Sequence, residues 1–176
     1  MSAPLPETHV DLLQQMPIFG AIGTETIEFL LALARAVKIP AGGYFFREGD
    51  PAHSMFVLES GHVVVSKRWQ SHELLLSRLG PGDCFGEMAL LDLFPRSASV
   101  RADEDCDAIE LTPDHLLRLF EHDAEQFALI QMNIGREMSR RLRITDEQLF
   151  RARMGEALEA PEPIVRPQPL PPDTRA

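Results

Sequence analysis

From Lys38 to Leu111 the chain is a succession of short β-branched and aromatic runs separated by Gly, Pro and Asp. The runs are VKIPAGGYFF, SMFVLES, HVVVSKRW, ELLLSRLG, DCF, SASVRA and CDAIEL. Seven short strands with turn signals every 8–14 residues predict an antiparallel double-sheet barrel, a jelly roll. Gly49-Asp50-Pro51 and Ser60-Gly61 read as tight turns, and Gln70-Ser71 as a hairpin tip.

Helical patterns flank this block. Leu12 to Val37 carries two of them, broken at Pro17 and at Gly20–Gly23, with Ile27, Leu30, Leu31 and Ala34 on one face of the second. Thr112-Pro113 is an N-cap followed by proline at the first helical position. Asp123 with Gln126 three residues on starts another helix that can run to about Leu158 without an internal proline. Residues 160–176 then hold six of the fourteen prolines and read as an extended tail. The expected organisation is a tail at 1–10, one domain at 11–158 including its long C-terminal helix, and a proline-rich tail at 159–176.

Charge narrows the partners. With 17 Lys and Arg against 27 Asp and Glu the net charge is −10, which argues against a nucleic-acid surface but not against a small anion held by one buried arginine. Cys84 and Cys106 have no CxxC and no Cys/His cluster beside them, so they read as core thiols in a reducing compartment. No signal peptide pattern opens the chain, and its longest apolar stretch, Phe29–Val37, is interrupted by Arg35. A soluble cytoplasmic protein is expected. His62, His72, His115 and His122 lack ligand spacing, and no nucleophile or acid–base pair is set up for chemistry, so a metal and an enzymatic role are not expected.

The segment Gly82–Val100, GDCFGEMALLDLFPRSASV, carries the chemistry. Glu87 precedes Arg96 by nine residues, with a short apolar helix, Gly86–Leu93, between them. Arg96 offers a guanidinium fork to a phosphate. The helix start offers unpaired N–H groups, and Gly86 lets a ligand lie against its backbone. Glu87 can accept from a sugar hydroxyl and steady Arg96, while Ser97 adds a hydroxyl. The expected ligand is a small phosphate ester bearing a sugar.

FGEMAL followed by RSA resembles the phosphate-binding cassette of the cyclic nucleotide-binding domain family. The likeness extends over roughly Asp11–Phe150, including the Arg47–Asp50 turn, REGD. The Glu-to-Arg spacing with Pro95 is similar to that of the regulatory subunits of cAMP-dependent protein kinase. MSRRLRITDEQL, at Met138–Leu149, is similar to the dimer helix of the catabolite activator proteins. The resemblance implies phosphate contacts from Arg96, Ser97 and the Ala98 backbone, and ribose contacts from Glu87 and Gly86. Val63 and Leu76 would line the base pocket and Thr145 would meet the adenine amino group. It places Leu90 at an apolar relay position against the Pro113–Glu121 helix.

The ligand expected on this basis is cAMP, since a threonine oxygen accepts from the adenine amino group. Ser97 leaves cGMP open, and the Arg136, Arg140, Arg141 and Arg143 patch leaves a cyclic dinucleotide or an acidic partner open beside the plain reading of a solvated face paired with neighbouring acids. Ala128, Gly135, Met138, Leu142, Thr145 and Leu149 form an irregular a/d stripe, weak as a coiled coil, which with the resemblance implies a homodimer. Ile130 and Ile134 lie on another face, toward the barrel. The activator proteins continue into a helix-turn-helix unit, whereas a proline-rich segment follows here, so the expectation is a free-standing sensor signalling to a separate effector. The alternative is a ligand-independent dimeric scaffold.

Overall fold

The computed structural model describes residues 10, 13–70, 72–92 and 94–155; both expected tails and Ser71 therefore lie outside the described residues, save for Val10. A 3-10 turn, Pro17–Phe19, and helix α1, Thr24–Leu33, precede eight strands: β1 Arg35–Ile39, β2 Tyr44–Phe46, β3 Met55–Ser60, β4 Val63–Trp69, β5 His72–Leu79, β6 Cys84–Phe85, β7 Ser99–Ala102 and β8 Cys106–Leu111. Helix α2, Met88–Leu91, sits between β6 and β7; α3, Pro113–His122, and α4, Ala124–Arg153, close the fold. The expected jelly roll is present as two four-stranded antiparallel sheets, ordered β1-β8-β3-β6 and β2-β7-β4-β5. VKIPAGGYFF, read as one run, is two strands, because Pro40 cannot donate to a ladder and Gly42 turns the chain at φ +80. β1 also begins at Arg35, before the expected start.

Strand β3 explains its own sequence. Met55 and Val57 pack with the helices, while Phe56 and Leu58 fill the barrel, so MFVL is buried on both faces and shows no polar alternation. The barrel interior is completed by Val63, Leu79, Phe85, Val100, Ala102, Cys106 and Ala108. In β2 the register slips between Tyr44 and Phe46. The bulge brings two consecutive side chains, Phe45 and Phe46, onto the same cluster, where an unbroken strand would turn one of them outward.

The helices close the outer face of the β1-containing sheet. Thr112 and His115 form a reciprocal cap on α3, and Asp123 Oδ1 accepts from Gln126 N at 3.0 Å on α4. Asn133 Nδ2 donates to Ile18 O at 3.1 Å and to Gly20 O at 2.8 Å, which ties α4 to the N-terminal turn. Ile130 and Ile134 pack into this layer with Leu116 and Leu119. In the a/d stripe, by contrast, Ala128, Gly135, Leu142, Thr145 and Leu149 stay exposed and only Met138 joins the core.

Candidate functional site

Arg96 is placed by backbone before its side chain contributes anything. Its N–H donates to Asp50 O at 2.9 Å and its carbonyl accepts from Gly49 N at 2.9 Å. The Arg47–Asp50 turn thus clamps the irregular segment that bears the arginine, just before β7, and Gly49 at φ +86 supplies the left-handed conformation the turn needs. The guanidinium lies 3.9 Å over the Phe46 ring, and Nη1 donates to Gly86 O at 3.1 Å and Nη2 to Ser54 Oγ at 3.4 Å. Arg96 is only 7% exposed, and its Nε is buried with no partner. Among the described residues no carboxylate lies within ion-pair distance of it. Burial pulls its pKa below the ordinary arginine value, against the opposing pull of Glu110, Asp50 and Glu87.

Glu87, 6% exposed, does not pair with Arg96 as its sequence position led us to expect. Its Oε1 accepts from Arg141 Nη1 at 3.1 Å. Among the described residues, Oε2 accepts no hydrogen bond. Arg141 also donates from Nη2 to the Cys84 carbonyl and from Nε to Glu137 Oε1 at 3.0 Å. Glu137, itself 6% exposed, takes two further bonds from Arg140, at 3.1 Å and 2.5 Å. Burial alone would lower the Arg141 pKa, but Glu87 and Glu137 outweigh it and hold it above the ordinary value. Burial would raise the Glu137 carboxyl, but Arg140 and Arg141 hold it below the ordinary glutamate range.

Two carboxylates and two guanidiniums therefore neutralise each other between the barrel and α4. Arg96 remains as a buried positive charge with donors to spare.

The other expected residues divide. Gly86, at φ +77, would carry a Cβ only 2.5 Å from Arg96 Nη1, so its lack of a side chain is what admits the guanidinium. Ser97 is exposed beside Met88, with Oγ 3.7 Å from the thioether sulfur, and Ala98 is buried. The helix expected at Gly86–Leu93 is a single turn, Met88–Leu91, too short to present a sizeable dipole. Val63 is fully buried inside the barrel and offers no surface to a ligand, because inward strand positions fill a barrel this small. Leu76 is 39% exposed and is the extra residue of a bulge, where Val65 pairs with Ser77 and Ser66 with Leu75. Thr145 is exposed and donates to Arg141 O at 3.0 Å, one turn beyond the arginine on the same face of α4.

Sequence reading missed four residues: Phe46, Ser54, Glu137 and Arg141. Arg140 and Arg141 were read as part of a solvated face paired with neighbouring acids; both do pair with Glu137, but they are partly buried. The i, i+3 and i, i+4 spacing of Glu137, Arg140 and Arg141 was the available signal that they pair.

A jelly roll whose cassette holds a buried arginine, a clamped turn and a glutamate facing a C-terminal helix defines a cyclic nucleotide-binding module. The sequence pattern of the cyclic nucleotide-binding domain family matches residues 36–123, and the chain belongs to that family. It is 32% identical over 137 residues to the cyclic AMP receptor protein of Thermus thermophilus, covering 76% of this chain and 60% of that one. It is 34% identical over 107 residues to a cAMP-dependent protein kinase regulatory subunit of Emericella nidulans, covering 61% of this chain and 26% of that one. The crystal structure of the catabolite activator protein of Thermus thermophilus superposes with a TM-score of 0.69 at 31% identity, covering 78% of this chain and 63% of that one. The chain thus spans less than two thirds of the length of these relatives, which are named as regulatory proteins. No helix among the described residues is long and apolar enough to cross a membrane.

Proposed function

We propose that the protein is a cytoplasmic cAMP sensor that performs no chemistry on its ligand and passes binding on through α3 and α4. The observation that carries this reading is the unbalanced Arg96: a buried guanidinium with an unpartnered Nε, beside a cluster that is already neutral. A cyclic phosphodiester brings the one negative charge that is missing, and its two exocyclic oxygens suit an arginine fork. Ser97 adds a hydroxyl on the same side, and the backbone at Gly86 and Ala98 completes the cradle. Glu87 then receives the ribose 2′-hydroxyl on Oε2 while Arg141 keeps Oε1.

Adenine is favoured over guanine by Thr145. Its hydroxyl proton goes to Arg141 O, so its oxygen lone pairs are left to accept from an amino group. Leu76, partly exposed, supplies apolar contact to the base. Leu90 supports the output route, since it packs against the cluster that contains Leu116 and Leu119 of α3. Phosphate capture that draws in the α2 turn would press on α3, and α4 follows because Arg141 is already tied to Glu87. A ligand preferring this closed arrangement about 100-fold supplies about 2.7 kcal/mol. Exposed Met132, Leu142, Leu149 and Phe150 along α4 support dimerisation through that helix, with an effector protein reading the result.

Calorimetry tests the site. Wild type should bind cAMP more tightly than cGMP or a cyclic dinucleotide. Arg96→Leu should cost about 2–5 kcal/mol of binding, since the phosphate would lose its buried partner. Undiminished affinity in that variant would contradict the assignment of the phosphate to Arg96, and no thermal stabilisation of the wild type by any cyclic nucleotide would leave the dimeric scaffold as the better reading.

A further inference from the structure

Glu137 forms no hydrogen bond to Arg96 or Glu87, yet it fixes the direction of the group that does reach Glu87. Its carboxylate takes three hydrogen bonds, two from Arg140 and one from Arg141 Nε at 3.0 Å. A guanidinium is a rigid planar fork, so fixing Nε at a buried anchor also fixes where both Nη groups point. In this chain they point at Glu87 Oε1 and at the Cys84 carbonyl. Cys84 and Glu87 flank the turn at Gly86 that admits Arg96. The orientation of the Glu87 carboxylate is therefore set from α4, through Arg141, by a residue one helical turn earlier.

We propose that Glu137 is a positioning residue for ribose recognition. By anchoring Arg141 it holds Oε1 and leaves Oε2 aimed at the sugar hydroxyl. This rests on the reading of Glu87 as the 2′-hydroxyl acceptor. Without Glu137, Arg141 keeps one carboxylate partner instead of two, its fork can rotate away from the Cys84 carbonyl, and the Glu87 carboxylate is free to turn. The phosphate contact at Arg96 is on a different element and is unaffected. The signature is thus a loss confined to the 2′-hydroxyl.

Calorimetry with cAMP and 2′-deoxy-cAMP reads that signature. Wild type should prefer cAMP on the order of tenfold to a hundredfold, the worth of one hydrogen bond to a charged group, and Glu87→Ala should erase the preference. Glu137→Gln, which keeps the shape but removes the charge, should cut it at least about threefold while 2′-deoxy-cAMP affinity stays within about twofold. Should that variant not fold, Glu137→Gln combined with Arg140→Gln removes one charge of each sign and should give the same result. If Glu87→Ala erases the preference but the Glu137 variants retain the wild-type ratio, or weaken both ligands equally, Glu137 is merely structural and the inference is wrong. If Glu87→Ala itself leaves the ratio intact, the ribose reading has failed and this inference falls with it.

Discussion

Glu87 of the cassette is paired with Arg141 of α4, Oε1 to Nη1 at 3.1 Å, and not with Arg96, the cation nine residues along its own segment. The barrel and the C-terminal helix are therefore latched together at the carboxylate whose other oxygen is proposed to take the ribose hydroxyl. Arg141→Leu should break that latch and leave Glu87 without its cation. Glu137 would keep only Arg140. Removing one partner of a buried pair is expected to cost about 3 kcal/mol. Urea denaturation should show this loss, and limited proteolysis should show earlier cutting within α4. A variant as stable as wild type, with α4 equally resistant, would mean that the latch contributes little to holding the helix.

Gly86→Ala tests the closeness of the cassette to Arg96. The new Cβ would lie 2.5 Å from Nη1 in a backbone at φ +77. The guanidinium end can move, but moving takes it off Phe46 and away from Ser54. We expect about 1–3 kcal/mol of destabilisation from the strained backbone. A loss of cAMP affinity on the order of tenfold or more should accompany it, because the phosphate donor is displaced. Unchanged affinity by calorimetry would show that the arginine tolerates a second position.

How much of this was legible in the sequence depends on the range of the interaction. The strands, the caps at Thr112 and Asp123 and the Gly86–Arg96 segment were readable, since each is specified within a few residues. The REGD turn was visible as a turn, but its role in clamping Arg96 depends on a pairing across more than forty positions. Phe46 was hidden because a bulge in β2, not its place in an alternating pattern, turns it under Arg96. Arg141 was placed on a solvated face paired with neighbouring acids, and its contact with Glu87 was hidden because that partner is 54 residues away. The register of α4 on the barrel decides that contact. Val63 meets a related limit: strand alternation does not say whether an inward side chain lines a cavity or fills it, and here the side chain is fully buried.

Thr145 is the residue proposed to meet the base. Thr145→Ala should weaken cAMP more than cGMP, by about 1 kcal/mol for one neutral hydrogen bond. The hydroxyl also donates to Arg141 O, but that bond is exposed and its loss should barely move the thermal midpoint. Equal losses for both nucleotides would place the residue outside the base contact.

Cys84 and Cys106 should be silent thiols in the folded protein. Burial pushes the Cys84 thiol up to about 12, and burial also raises Cys106. The thiolate is the reactive species, so neither should react appreciably with a thiol reagent near neutral pH. Ellman titration should count no fast thiol in the native protein and two in denaturant, since both are free. A fast native thiol would contradict the burial of Cys84 in β6 or of Cys106 in β8.

The Glu137 carboxyl gives the protein a predictable acid limit. Its pKa is depressed in the folded state, because the hydrogen bonds and charge of Arg140 and Arg141 together exceed the cost of burial. In the unfolded chain it returns to about 4.3. The unfolded state then binds more protons than the folded one in the window between the two values, so stability rises with pH through that window. The contribution is complete above the unfolded value and disappears as pH falls through the depressed folded value. Urea midpoints of wild type and Glu137→Gln should differ by a constant amount from about pH 7 to about pH 5, then converge as pH falls below the unfolded value. A difference that stayed flat to the acid end, or widened there, would show that Glu137 is not held as a paired anion. That result would remove the charge balance by which Arg96 alone is left for the phosphate.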